Sequence, residues 1–117
     1  MRLFHATRIE NVPGILSEGL KKRLDGIYLS DSIDGAALWK AAQMQNQTVA
    51  VVEVEVDERA IREGEDHSPE MQALYGAGKS FLSTKQIPSK SIERIHFRTI
   101  VKKAKSQVAI RKGSASR

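Results

Sequence analysis

One run of eight residues, Val49–Val56, most constrains what this chain can fold into. Its first half (residues 49–52, VAVV) is apolar throughout, and its second half (residues 53–56, EVEV) alternates charged and apolar side chains. An unbroken apolar run is typical of a strand covered on both faces, and strict alternation is typical of a strand with one face open to water. We therefore predict a sheet in which this run is a central strand.

Shorter strands and helices are predicted on both sides of this run. Turn signals and apolar spacing place further strands at residues 1–7, 27–29, 81–84 and 91–97, and helices at residues 8–19 and 34–45. The irregular stretch from 57 to 79 is predicted as a helical turn at 57–62 and a long loop with a second turn at 70–74. This order predicts an α+β fold with an antiparallel or mixed sheet core and short flanking helices.

The helix ends carry residues that are suited to capping. We expect Asn11 to cap the start of the first helix, with Pro13 in its first turn and Gly19 at its end. For the second helix, either Ser30 or Asp31 is expected to be the N-cap.

Basic residues are unevenly distributed along the chain. The 117 residues carry 19 Lys and Arg against 14 Asp and Glu, yet seven of the basic residues lie at or beyond Arg98 and no acidic residue follows Glu93. We therefore predict one domain over residues 1–98 and a basic, partly disordered extension over residues 99–117. Within this extension, Ile100, Val101, Val108 and Ile110 are expected to extend a strand or a helix, and residues 113–117 are expected to be disordered. Two interpretations of the extension stay open, attraction to nucleic acid or a solvated tail without a partner.

Composition excludes several classes of protein. The chain has no cysteine, which rules out a disulfide framework, and its three histidines lack the spacing of metal ligands. No apolar run approaches the roughly 18 residues of a membrane helix. Arg8, Glu10 and Pro13 interrupt any apolar segment near the N-terminus. We therefore expect a cytoplasmic protein with neither a metal nor a membrane partner, while the oligomeric state stays open.

Two of the short predicted strands carry residues that a plain core strand lacks. His5 lies in the segment LFHAT (residues 3–7), and Tyr28 lies in the segment GIYLS (residues 26–30). One interpretation is structural, with His5 a satisfied core or edge histidine and Tyr28 and Trp39 core aromatics. The other is functional, with His5 and Tyr28 facing one cleft.

The order and spacing of these segments resemble the ADP-ribosyltransferase superfamily of the H-Y-[EDQ] type. This superfamily includes the poly-ADP-ribose polymerases, diphtheria-type toxins, DarT toxins and tRNA 2′-phosphotransferases. Residues 5–7 are similar to its first motif and residues 26–30 to its second, and Trp39 lies eleven residues after Tyr28, where the polymerase type has another aromatic. The resemblance covers about residues 2–97 and implies a split sheet that binds NAD.

The third motif of this superfamily lies on a strand just before a proline turn. Residues 83–88 (STKQIP) are similar to it and place Gln86 where the catalytic acid stands. A glutamine amide can bind a ribose hydroxyl but cannot act as a base. Three interpretations follow. The acceptor is a strong nucleophile, as the RNA phosphate is in tRNA 2′-phosphotransferases, or the base lies elsewhere (Glu53, Glu55 or residues 63–79). In the third interpretation, NAD binds without reacting. If Gln86 is only a surface residue in the turn, none of these three interpretations applies.

The resemblance also implies a role for each motif residue. His5 would bind a hydroxyl of the adenosine ribose, Ala6 would offer its backbone to the nicotinamide amide, and Thr7 would add a hydroxyl. Tyr28 and Trp39 would enclose the nicotinamide ring, with Ser30 lining the same pocket. The predicted catalytic residues are His5, Tyr28 and Gln86. The predicted phosphate ligands are cations near the motifs, namely Arg8, Lys21, Lys22, Arg23 and Lys85.

Three functions follow from these predictions. The first is an NAD-dependent ADP-ribosyltransferase, a glycosyltransferase of the pentosyl type, whose nucleic-acid or protein acceptor lies against residues 63–85. The second is a catalytically silent module that binds NAD or ADP-ribose and regulates or antagonises a partner. The third is nucleic-acid binding through the basic extension. The chain is too short for the RNA-binding lobe of the tRNA 2′-phosphotransferases, so the acceptor stays open.

Overall fold

The structure, a computed structural model, describes residues 1–22, 26–44, 48–63, 79–102 and 108–116. Within these residues the chain forms, in order, β1 (Arg2–Arg8), α1 (Val12–Glu18), β2 (Ile27–Ser30), α2 (Ile33–Met44), β3 (Thr48–Glu55), β4 (Ile61–Glu63), β5 (Ser80–Ser83), β6 (Ile92–Lys102) and β7 (Val108–Ser116). Short 3-10 turns lie at Ile9–Asn11, Glu58–Ala60 and Ser89–Ser91. None of the described helices is long and apolar enough to cross a membrane.

The strands form one sheet in the order β4-β5-β2-β1-β3-β6-β7. Every strand pairing among the described residues is antiparallel, which confirms the α+β class and selects the antiparallel sheet over the mixed one. β3 lies between β1 and β6 and pairs with both. Residues 49–55 of the predicted run therefore form an interior strand, with a bulge in its pairing to β6 between Glu53 and Val54, and Val56 follows its end.

Two apolar cores lie on opposite faces of the sheet, because alternate residues of a strand point to opposite faces. Ala50 and Val52 of β3 belong to the first core, against which α1 packs. Val49 and Val51 belong to the second core, which contains residues of α2. All four residues are completely buried, which explains why the first half of the run is apolar throughout.

The helix caps differ in part from the prediction. Gly19 does end α1: its φ is 81° and its N–H donates to the carbonyl of Ile15 at 2.7 Å. Asn11 makes no capping hydrogen bond, because its Nδ2 donates to Thr7 Oγ1 at 3.0 Å. Ser32 caps the start of α2, because its hydroxyl oxygen accepts a hydrogen bond from the backbone N–H of Gly35 at 3.0 Å. The expectation that Ser30 or Asp31 is this N-cap was therefore wrong.

Two further parts of the chain differ from the prediction. Residues 61–63, expected to end a helical turn and begin a loop, form the edge strand β4. Beyond residue 98, β6 continues to Lys102, and β7 pairs with it from Val108 to Ser116. Ile100, Val101, Val108 and Ile110, expected in a strand or a helix, thus lie in strands, whereas residues 113–116, expected to be disordered, belong to β7. The predicted helical turn at 70–74 lies outside the described residues.

Candidate functional site

β1 and β2 are neighbours in the sheet but pair only briefly, and we call this place the split. These strands pair at a single position in the described chain, Phe4 opposite Ser30, whereas β1 and β3 pair at seven positions. Beside this position, His5 Nδ1 lies 2.8 Å from the carbonyl oxygen of Tyr28. The carbonyl of Tyr28 is therefore bound by a side chain of β1 where a continuous ladder would use a backbone N–H.

This contact determines which nitrogen of His5 carries a proton. A carbonyl oxygen only accepts hydrogen bonds, so Nδ1 must be the donor. In the neutral ring Nε2 is then the acceptor nitrogen. An imidazole held in this form is suited to accept a hydrogen bond from a hydroxyl group.

Tyr28 and Trp39 are both exposed aromatic residues. Their exposed fractions are 58% and 44%, the two largest among the large hydrophobic residues that the structure describes. The interpretation of these rings as core aromatics is therefore wrong. The pairing of Phe4 with Ser30 directs Tyr28 to the face of the sheet on which Phe4 packs with α2, the helix that carries Trp39. Both rings thus belong to one side of the sheet.

Three smaller predicted residues lie beside the split. Ala6 is half-buried and packs with the α2 core. Thr7 is buried, and its Oγ1 accepts from Asn11 at 3.0 Å. Ser30 is buried, and its Oγ accepts from the backbone N–H of Ser32 at 3.1 Å. These hydrogen bonds hold in place the chain that follows each strand. An accepting hydroxyl keeps its own proton, so both hydroxyl groups can still donate a hydrogen bond.

Gly26 allows β2, the strand that carries Tyr28, to begin close to β5. Its φ of 119° lies in the left-handed region, and a Cβ at this position would lie 2.4 Å from the carbonyl oxygen of Ser83. Only glycine allows this approach, which lets β2 begin directly against β5. The glycine at position 26 therefore has a steric cause in this chain.

Gln86 does not lie on the strand where the third motif was expected. It is exposed and follows the end of β5, and its neighbour Ile87 is buried and bridges to Leu20. The β5 residues that lie opposite the second motif are Ser80, across from Ser30, and Leu82, across from Tyr28. The structure therefore brings Ser80, rather than Gln86, next to the second motif, and a catalytic role of Gln86 stays a prediction.

The predicted phosphate ligands are scattered. Arg8, Lys21, Lys22 and Lys85 are exposed, and Arg23 lies outside the described residues. Lys21 is 2.6 Å from the carboxylate of Glu18, and its hydrogen bond and charge lower the pKa of that carboxyl.

One cation that sequence reasoning did not select faces the same side as Tyr28. Arg62 of β4 lies opposite Leu82, which in turn lies opposite Tyr28. Directly opposite residues of antiparallel strands share a face, so Tyr28, Leu82 and Arg62 form one row. A strand of three residues has too little alternation to be recognised in the sequence, which is why Arg62 was assigned to a helical turn. No group of three or more potential metal ligands occurs among the described residues.

Neither the protein-family models nor the curated proteins compared with this chain gave a match. The resemblance to the ADP-ribosyltransferases therefore stays a prediction that rests on the motif residues.

Proposed function

We propose that the protein binds NAD at the split between β1 and β2 and transfers its ADP-ribose to an acceptor. One observation carries this proposal. The imidazole of His5 is fixed to the main chain of Tyr28, and the ring of Tyr28 is exposed. A fixed ring nitrogen that accepts a hydrogen bond from a hydroxyl group, together with an exposed aromatic ring, suits a ligand that joins a ribose to a flat ring.

Each described residue has a part in this proposal. Nε2 of His5 accepts a hydrogen bond from a ribose hydroxyl of the adenosine half. Tyr28 and Trp39 stack on the nicotinamide, because an aromatic face favours a flat ring. Ala6 is small, which allows the ligand to approach the backbone of β1.

In the reaction, the bond between the ribose C1 of the nicotinamide half and the nicotinamide nitrogen breaks. Its electron pair leaves with the nicotinamide, which becomes neutral. The acceptor supplies the electron pair for the new bond to the same carbon. Holding these groups in line and supporting the positive charge that develops on the ribose are the contributions expected of the protein.

A catalytically silent NAD-binding module is the second candidate, and the composition of one face favours it. The residues of β2, β5 and β4 on the side of Tyr28 include no acid among those described: they are Tyr28, Ser30, Ser80, Leu82 and Arg62. A transfer at this face must therefore use an acceptor that needs no base, or a base from another strand such as Glu53 of β3, which lies opposite Phe4 on the same face. Without such an acceptor or base, the site would bind NAD and leave it intact.

Nicotinamide release separates these candidates. The wild type is incubated with NAD together with RNA, DNA or protein acceptors, and His5→Ala is compared with the control Lys90→Ala, which changes an exposed lysine on a distant turn. We expect the wild type and the control to release nicotinamide and His5→Ala to lose most of this activity. Protection from thermal unfolding by NAD without release would favour the silent module. The absence of both effects in the wild type would contradict both candidates.

A further inference from the structure

The helix α2 carries Trp39, so the geometry of the proposed site depends on how this helix is held against the sheet. β2 ends at Ser30 and α2 begins at Ile33, which leaves only two residues between them. The α2 residues that are buried in the second core are Ala36, Ala37 and Leu38. Two of these three are alanines, and a single methyl group buries little apolar surface. These apolar contacts therefore determine the position of α2 only weakly.

Arg98 of β6 binds the start of this helix to the sheet. Arg98 is buried, with 8% of its surface exposed, and its Nε donates to Asp34 Oδ1 at 3.0 Å. Asp34 lies in the first turn of α2. Nη1 of the same guanidinium donates to the carbonyl oxygens of Phe97 at 3.0 Å and Gly113 at 3.3 Å. One rigid, planar group thus binds β6, β7 and α2 together.

The chain enters α2 from one part of the sheet, and Arg98 contacts it from another. β2 and β6 are separated by β1 and β3, which makes three strand spacings, or about 14 Å. Two attachments at separate places fix the direction of the helix across the sheet. Trp39 follows Asp34 by five residues, about 7.5 Å along the helix axis. The direction fixed at Asp34 therefore determines where the Trp39 ring lies relative to Tyr28.

We propose that the ion pair between Arg98 and Asp34 positions Trp39 for contact with the nicotinamide ring, an inference that rests on the proposed function. Both residues act through α2 and not through contact with the ligand. A buried ion pair contributes little net stability, but it can select one arrangement of packed elements over others. Without the Asp34 carboxylate, the guanidinium keeps two carbonyl acceptors and has no counter-charge among its described partners. α2 is then free to shift, and the ring of Trp39 moves with it.

Fluorescence of Trp39 tests the positioning without any ligand, because this residue is the single tryptophan of the chain. Acrylamide quenching compares the wild type with Asp34→Ala, Asp34→Asn and the control Asp31→Ala, which removes an exposed carboxylate just before the same helix. We expect Asp34→Ala to raise the quenching constant and the control to leave it unchanged. Asp34→Asn should lie between them, because its amide oxygen can still accept from Arg98.

Calorimetric titration with NAD tests whether this position matters to the site. We expect Asp34→Ala to bind NAD about fivefold more weakly than the wild type, within the range of one aromatic contact. Asp31→Ala should bind as the wild type does. In a Trp39→Ala background, Asp34→Ala should cause no further loss, because the ring through which the ion pair acts has been removed.

A second variant approaches the ion pair from the sheet. Arg98→Lys keeps the charge, but an ammonium group cannot reproduce the planar arrangement of donors that contacts Asp34 and the two carbonyl groups. Arg98→Lys should therefore resemble Asp34→Ala in quenching and in NAD affinity. The matched control is Arg94→Lys, which changes an exposed arginine on the same strand and should resemble the wild type. Circular dichroism verifies that each variant is folded.

Several outcomes would overturn the assignment. Unchanged quenching in Asp34→Ala would show that the ion pair does not position Trp39. A loss of NAD affinity that is equally large with and without Trp39 would show that the ion pair acts on the fold as a whole. Wild-type affinity of Trp39→Ala would contradict a contact of this ring with the ligand. If the wild type binds no NAD, the proposed function fails, and the quenching comparison alone then decides whether the ion pair positions Trp39.

Discussion

The imidazole of His5 is bound to the main chain of Tyr28 and not to its side chain, with 2.8 Å between Nδ1 and the carbonyl oxygen. The position of the histidine is therefore independent of the tyrosine ring. Substitutions can separate the structural contact, which His5 makes, from ligand stacking, which we assign to the ring of Tyr28.

His5→Ala should lower the free energy of unfolding by about 1 kcal/mol, the usual net contribution of one hydrogen bond. Tyr28→Phe should stay within about 0.5 kcal/mol of the wild type, because the carbonyl that binds His5 is retained. Urea unfolding measures both values. A loss in Tyr28→Phe as large as that in His5→Ala would show that the tyrosine side chain, rather than this hydrogen bond, holds the two strands.

Gly26→Ala should lower the free energy of unfolding by at least about 2 kcal/mol, from backbone strain and from the displacement of Ser83. Its φ of 119° and the 2.4 Å approach of a Cβ to the Ser83 carbonyl are the causes. Gly14→Ala is the matched control, because a Cβ at that position in α1 meets nothing within 4 Å. It should be neutral or stabilising by up to about 1 kcal/mol. Equal effects of both substitutions on urea unfolding would contradict the assigned geometry.

Ser80→Glu and Gln86→Glu distinguish two positions for a catalytic acid. Ser80 lies opposite Ser30 on the neighbouring strand, whereas Gln86 lies beyond the end of β5. We expect Ser80→Glu to raise the hydrolysis of NAD by about tenfold or more, because a carboxylate next to the ribose supports its developing positive charge. Gln86→Glu should leave hydrolysis within about twofold of the wild type. A gain in Gln86→Glu alone would place Gln86 in the site.

The Asp57 carboxylate should contribute to stability in a pH-dependent way. Hydrogen bonds from the side chain and backbone of Arg59 lower its pKa from 3.8 to about 2. A lowered pKa in the folded state means that the contribution is complete above about pH 4 and is lost as the pH falls towards 2. The difference in melting temperature between the wild type and Asp57→Asn should therefore be constant from pH 7 to 5 and shrink below pH 4. Because Asp57 is exposed, the difference should be small.

Glu58→Gln is the control for this titration, since it removes the adjacent carboxylate, which has no ion pair with a described residue. Its melting temperature should follow the wild type across the same pH range. A difference between Asp57→Asn and the wild type that persists unchanged to pH 2 would contradict the ion pair with Arg59.

Deletion of residues 103–117 should destabilise the protein, because β7 pairs with β6 over nine positions. We expect a loss of at least about 3 kcal/mol, the scale of a few backbone hydrogen bonds. Calorimetry or urea unfolding measures this loss. Wild-type stability after the deletion would contradict the role of β7 in the sheet.

Because the deletion also unfolds part of the sheet, it cannot test nucleic-acid binding by the basic residues. A variant with Lys103, Lys105 and Arg117 replaced by glutamine is better suited, as these residues lie outside the described strands. If the tail binds single-stranded nucleic acid, the slope of the logarithm of the binding constant against the logarithm of salt concentration should become less steep. The expected change is about 0.7 for each charge removed. An unchanged slope would contradict the tail interpretation.

The sequence predicts the interior strand because burial on both faces leaves a direct pattern, the unbroken apolar run of residues 49–52. The sequence also indicated special positions for His5 and Gly26, because each residue type differs from the one that its strand or turn would otherwise contain. The spacing of residues along the chain cannot reveal which side chains are opposite across two strands. The neighbours of Ser30 and Tyr28 are set by the register of β5, and this register brings Ser80 and Leu82 to them instead of Gln86.

Short and edge elements were the least predictable from the sequence. β4 has three residues, too few for a period of two to be recognised, and so Arg62 was missed. β7 carries the basic residues and glycine that indicate a solvated tail, and its pairing with β6 depends on a partner strand elsewhere in the chain. Asn11 had the residue type of an N-cap, but the neighbouring hydroxyl of Thr7 takes its side chain.

Calorimetric titration with NAD tests the central claim most directly, using the wild type, Tyr28→Phe and Tyr28→Ala. Ile9→Ala is the control for the loss of an exposed apolar side chain, since Ile9 is 41% exposed. We predict saturable binding by the wild type, Tyr28→Phe and Ile9→Ala. Tyr28→Ala should bind about tenfold or more weakly, because stacking on one aromatic ring is worth about 1–3 kcal/mol. Absence of binding by the wild type, or equal affinity of Tyr28→Ala and Tyr28→Phe, would contradict an NAD site at the split between β1 and β2.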